Sequence, residues 1–194
     1  MRAMKQILTG HLTDLREAVV WKLEGVGERA ARTPMTPTGT NLLGLVKHLG
    51  LMEAGYFGDV FGRPADDPMA RLDAVAWADD ADLWATPDET MPVVMAFYAR
   101  STAHADETIR SRDLDSPAFV PWWPQPLQNT TLGAVLVHVI AETARHAGHI
   151  DILREQLDGR VGTHPDSAGV LAHDAEWRAA YTSRLRDLAA SAPE

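Results

Sequence analysis

Three observations predict an all-α fold, a four-helix bundle with long inter-helix connectors and an extra C-terminal helix. Four long stretches carry apolar residues at helical spacing, the mark of helices that bury one face. Proline- and glycine-rich breakers separate them. The chain has 194 residues, 45% hydrophobic and 23% charged, enough for one domain over residues 1–194 with a sizeable core.

The first pattern runs from about residue 9 to 31, with Leu12, Leu15, Val19, Leu23 and Val26 at helical spacing and Thr9 or Thr13 as its cap. The breaker TPMTPTG ends it. Thr40 is the predicted cap of the second helix, TNLLGLVKHLGLMEAGYFGDVFG, whose apolar face is Leu42, Leu45, Val46, Leu49, Met52 and Tyr56. His48 lies on that same side; Glu53 reads as an exposed acid. The connector from Arg63 to Thr86 is longer than bundle turns usually are, and either covers a site or serves as a structural crossover.

Thr86-Pro87-Asp88-Glu89 has the form of a capping box and predicts a third helix reaching about Arg112. Its inner positions are Val94, Phe97, Tyr98, Ser101, Ala105 and Ile109, and His104 reads as a surface or core residue. Repeated prolines keep DLDSPAFVPWWPQPLQNT from continuing that helix, and Trp122 and Trp123 should pack over the bundle end or line a pocket mouth. Thr130 or Thr131 caps the fourth helix, which stops at Asp158-Gly159. A last helix, from about His173 to Ala190, has Trp177, Tyr181 and Leu185 on one stripe and should dock on the bundle or on a second subunit.

The fourth helix carries the chemistry. In HVIAETARHAGHIDILREQLDG, residues 138–159, Glu142 and His146 lie one turn and about 40° apart, so both can point at one spot. His138 and His149 flank them about 16 Å apart along the axis, too far for both to join one centre. Carboxylates and imidazoles aimed at a core are costly unless paired, and a divalent metal pairs them. A third ligand must come from another helix, and His48 is the candidate. Three protein ligands leave an open coordination position, as catalytic sites do. Two histidines and a carboxylate suit zinc and also occur around iron(II), so ligand type alone does not choose the metal.

Composition excludes other chemistries. A formal charge of −9 offers no basic face to a phosphate backbone, so nucleic acid is not an expected partner. The chain has no cysteine, which rules out disulfides, thiolate metal sites and a protein thiol nucleophile; any sulfur chemistry needs a thiol from a small molecule. There is no P-loop, dinucleotide fingerprint or nucleophile elbow. The N-terminal stretch lacks the apolar core of a signal peptide and no uncharged apolar run approaches membrane-spanning length, so the expected location is cytoplasmic, with no membrane partner.

The strings TNLLGLVKHLG and HVIAETARHAGHIDILREQLDG resemble the DinB/YfiT-like superfamily of metalloenzymes, and within it the branch that includes the mini-circle proteins. The acidic segment DDADLW, the TPDET helix start and EWRAAY also look like that branch. The resemblance implies a four-helix bundle with a divalent metal, the ligands carrying over to His48, Glu142 and His146; related mycothiol-dependent maleylpyruvate isomerase has the same Glu–His pair. His149 also matches a motif position, which makes it either a group behind the ligands or an alternative ligand; its expected catalytic role is to orient a ligand or move a proton. Zinc is the metal implied first, with nickel, iron and manganese as alternatives. Several relatives use mycothiol or bacillithiol, which implies a thiol cosubstrate and an electrophile, with S-transfer or isomerisation as the reaction; activation of a water for hydrolysis is the other enzymatic reading. The chain departs from the pattern at Gly133-Ala134, where relatives carry bulkier side chains. The rival reading is a non-catalytic, metal-stabilised bundle acting as a binding module or homodimer.

Overall fold

The structure, a computed structural model, describes residues 2–167 and 173–193. Four long helices make the bundle: α1 (Arg2–Leu23), α3 (Leu42–Phe57), α5 (Met91–Ser111) and α7 (Leu132–Asp158). Short helices α2 (Glu28–Arg32), α4 (Ala74–Ala78) and α6 (Gln125–Gln128) lie in the connectors, and α8 (Ala175–Ala190) follows the bundle. A small antiparallel pair, β1 (Pro117–Phe119) with β2 (Asn129–Thr131), ties the last connector to the start of α7. The all-α bundle is therefore the fold.

Packing explains the length of two of the connectors. α3 packs chiefly against α5 and α7, and α1 against α7. The links from α1 to α3 and from α5 to α7 thus join helices that are not principal neighbours, and must cross an end of the bundle. The core has two halves. One gathers Val19, Leu23, Leu45, Leu49, Tyr98, Ala147 and Ile150; the other gathers Leu12, Tyr56, Phe57, Ala105, Leu136 and Val139. On α7 Glu142 lies between the two halves, and on α3 His48 stands in the first, next to Leu49.

Helix boundaries follow local chemistry. α1 begins well before Thr9, whose hydroxyl donates to the Lys5 carbonyl inside the helix, and it breaks at Leu23 so that α2 is separate. The cap of α3 is Asn41, not Thr40: its side chain accepts from Gly44 N at 2.8 Å. α5 starts at Met91 with Thr90 as its cap, later than the capping box predicts. A helix begun at Pro87 would put Pro92 in its interior, where its ring clashes with the preceding turn, so the start moves until Pro92 falls in the first turn. Half of the box survives as a turn, with Thr86 N donating to Glu89 Oε2 at 2.7 Å. All six predicted inner positions of α5 are buried. α7 is capped by Thr131 and ends at Gly159, whose φ of 78° suits glycine.

Two further expectations are corrected. Glu53 is not exposed: it is 1% accessible and receives two 2.7 Å bonds from Arg16, which also donates to Asp106. A carboxylate that far from water needs such a cation beside it. Nor does α8 dock on the bundle. It has no buried residue, and Trp177 stacks instead on its own neighbours His173 and Tyr181. Among the described residues, no helix is long and apolar enough to cross a membrane.

Candidate metal centre

His48 reaches the α3–α7 seam because the start of α3 is fixed by the connector above it. Asn41 Nδ2 donates to Leu83 O, and that carbonyl sits where a β-carbon on Gly44 would fall, 1.8 Å away. Only glycine allows the approach. The approach brings Asp82, 6% accessible, against His48, with Nδ1 and Oδ2 2.7 Å apart. A carboxylate only accepts, so Nδ1 carries the hydrogen and Nε2 of the neutral ring presents its lone pair. That Nε2 is buried and has no hydrogen-bond partner among the described residues.

What it faces is the acid–imidazole pair on α7. His48 Nε2 lies 3.7 Å from Glu142 Oε1, and His146 Nε2 lies 3.0 Å from the same oxygen. The rings of His48 and His146 meet edge to face at 4.7 Å. Ligand atoms of the three residues all fall within 4.8 Å of one another. Bonds of about 2.1 Å to a tetrahedral ion would set such atoms roughly 3.4 Å apart, so the trio fits a divalent metal with little rearrangement. The bond between Nδ1–H and Asp82 is the outer contact that metal-bound histidines usually make.

Electrostatics favour the ligand forms. Burial pushes Glu142 up, but the His146 hydrogen bond and the charges of His146, His48 and Arg145 outweigh it, leaving the carboxyl below its usual range. Burial, reinforced by His48, lowers His146 despite the pull of Glu142. At neutral pH the site therefore offers a carboxylate at Glu142 and a free imidazole at His146.

The other histidines lie apart from this trio. His149 is exposed at the rim, its Nδ1 3.4 Å from His146 Nδ1, and shares a small cleft of about 130 Å³ with Thr40, Asn41 and Leu45. His138 packs against Tyr56 and Trp123, with centroids 4.8 and 4.9 Å away, and burial lowers its pKa. His104 is tied to the Arg63 carbonyl at 2.6 Å. Trp122 and Trp123 both donate their indole N–H to the Tyr56 hydroxyl at 3.0 Å. Gly133, where the sequence departs from its relatives, packs its backbone on the Leu114 carbonyl and lines none of these features. Sequence reasoning missed Asp82. The only signal was the acidic segment DDADLW, in a connector whose lack of periodicity gives no face to assign.

A comparison with curated proteins gives no match. The family model described as Mycothiol-S-transferase matches residues 7–159, which takes in most of α1, all of α2 to α7 and every residue of the centre. The DinB-like resemblance of the two long motifs, the helical bundle and this match agree: the chain belongs to the mycothiol-S-transferase family.

Proposed function

We propose that the protein is a metal-dependent S-transferase in which His48, Glu142 and His146 hold a divalent ion, zinc in the first instance, and the cosubstrate is the thiol mycothiol. The observation that carries this reading is the unpartnered Nε2 of His48, aimed at the α7 pair while Asp82 holds the other face of the ring. A hydrogen bond accounts for Glu142 and His146 by themselves; it leaves His48 unexplained.

When bound, the ion supplies Lewis acidity, lowering the pKa of a thiol at its open position toward neutrality. The protein supplies the rest. Asp82 fixes the tautomer and aim of His48. Glu142 brings the one negative charge of the ligand set. In this reading His149, at the rim beside His146, takes the proton that an incoming thiol gives up. With no cysteine in the chain, no protein thiol competes for the metal or the electrophile.

The test uses protein purified without a histidine tag. One zinc per chain is expected, and none in His48→Ala. The zinc-loaded protein should conjugate mycothiol to 1-chloro-2,4-dinitrobenzene, followed by absorbance, with bacillithiol and glutathione as comparison thiols. Full zinc loading with no turnover on any of the three thiols overturns the transferase reading in favour of the non-catalytic bundle.

A further inference from the structure

Further along α3 from the metal centre lies a larger cavity, of about 570 Å³, within the range that takes small organic ligands. It sits between α3 and the connectors that join α3 to α5 and α5 to α7. Leu51, Met52 and Leu72 give it aliphatic walls; Trp77 and Trp122, one from each connector, give it flat ones. Met52 stands one turn beyond His48 on the same face of α3, about 6 Å along the axis, and Tyr56 one turn further. Across the seam Tyr56 meets His138, one turn from Glu142. The cavity therefore continues the row of residues that begins at the metal centre.

Three features say what it takes. The first is the Tyr56 hydroxyl. A phenol oxygen has two acceptor positions, and the N–H groups of Trp122 and Trp123 occupy both. Its own hydrogen has no acceptor among the described residues, so it is free to donate to a guest. The second is charge: Asp59 and Arg71 are the charged groups of the lining, opposite in sign and exposed, so neither sign of ligand is favoured. The third is Gly55. Glycine inside a helix is destabilising relative to alanine, yet a β-carbon here would meet nothing within 4 Å and φ is not positive. The absent side chain is cavity volume.

Resting on the thiol-transfer reading above, we infer that this cavity is the electrophile subsite, taking a neutral, flat, largely apolar molecule whose carbonyl, nitro or epoxide oxygen accepts a hydrogen bond from Tyr56. The polar thiol then enters from the opposite side, by the cleft at Thr40, Asn41 and His149.

The test uses an unreactive probe, 1,3-dinitrobenzene, titrated into the full zinc-loaded chain with quenching of tryptophan fluorescence as the readout. Saturable binding is expected. Gly55→Leu, which fills the cavity from a position with open space, should weaken it at least tenfold; Tyr56→Phe should weaken it roughly fivefold, the worth of one hydrogen bond. Zinc content should be that of the wild type in both. Unsaturable quenching in the wild type, or Gly55→Leu binding as tightly as the wild type, overturns the subsite, and an unchanged Tyr56→Phe overturns the role of the hydroxyl. None of these outcomes touches the metal reading, which fails on absent zinc or absent thiol turnover. That keeps the two failures separable.

Discussion

Two polar clusters hang from α3, one buried and one half-buried, five residues apart in sequence and about 140° apart around the helix. On one side Glu53 meets Arg16 and, through it, Asp106; on the other His48 meets Glu142 and His146. The first is closed. Both oxygens of Glu53 accept from Arg16, whose remaining terminal nitrogen reaches Asp106. Burial still pushes the Glu53 carboxyl up, but the guanidinium beside it opposes that shift. The second is open, because the lone pair of His48 Nε2 has nothing among the described residues to receive it. Burying charge is costly in both places. The closed cluster answers the cost with its own residues and ties α1, α3 and α5 together. The open one defers it to a ligand, and that separates a structural ion pair from a binding site in the same helix.

The largest effect should come from breaking the closed cluster. Glu53→Leu leaves Arg16 buried with only the half-exposed Asp106 as partner, and should cost about 3 kcal/mol of stability. Thermal unfolding should show it as a Tm drop of about 10 °C, with zinc content unchanged. His48→Ala should reverse the pattern, losing zinc while its metal-free form melts closer to the wild type than Glu53→Leu does. If both variants lose stability and zinc together, the two clusters are not separable functions of α3.

A smaller effect sharpens the open side. Asp82 makes no contact with the proposed ion, and acts by holding Nδ1 of His48. Asp82→Ala should lower zinc affinity roughly 10- to 100-fold, the usual penalty for losing such an outer contact. Competition with a chromophoric chelator measures it. Affinity equal to the wild type would make the Asp82 bond a packing detail of the connector.

The contrast also explains what could be read without coordinates. His48, Glu142 and His146 announce themselves through helical periodicity: two are a turn apart, and the third shares a face with Leu45 and Met52. The bundle was legible by the same period. Asp82 was not, because an irregular connector assigns no direction to its side chains. Glu53 was misread since an isolated acid on a helix resembles a solvated one; its partner Arg16 is 37 residues away, with nothing local to link them. The capping box misled for a related reason, a strong local signal overridden by Pro92 six residues on.

The smallest predicted effect concerns Tyr98, where the closed side carries an unpartnered atom of its own. Its hydroxyl is buried without a hydrogen-bond partner among the described residues, beside the Arg16–Glu53 pair. Burial first, then the nearby Glu53 carboxylate, raises its pKa far above the ordinary range, against the pull of Arg16, so it stays a neutral phenol. An unpaired hydroxyl differs from an unpaired imidazole: it is a poor metal ligand, and the carboxylate beside it is already held by Arg16. If the Nε2 of His48 marks a site because of what surrounds it, Tyr98 should be only a local defect. Tyr98→Phe keeps the ring and removes the unsatisfied group, and should therefore raise stability by about 1 kcal/mol while leaving zinc content and turnover as they are. Urea unfolding reads the change. A loss of stability instead would mean that the hydroxyl is satisfied in solution, and an isolated unpaired atom would then be a weaker guide to the metal centre than the convergence of three ligands around it.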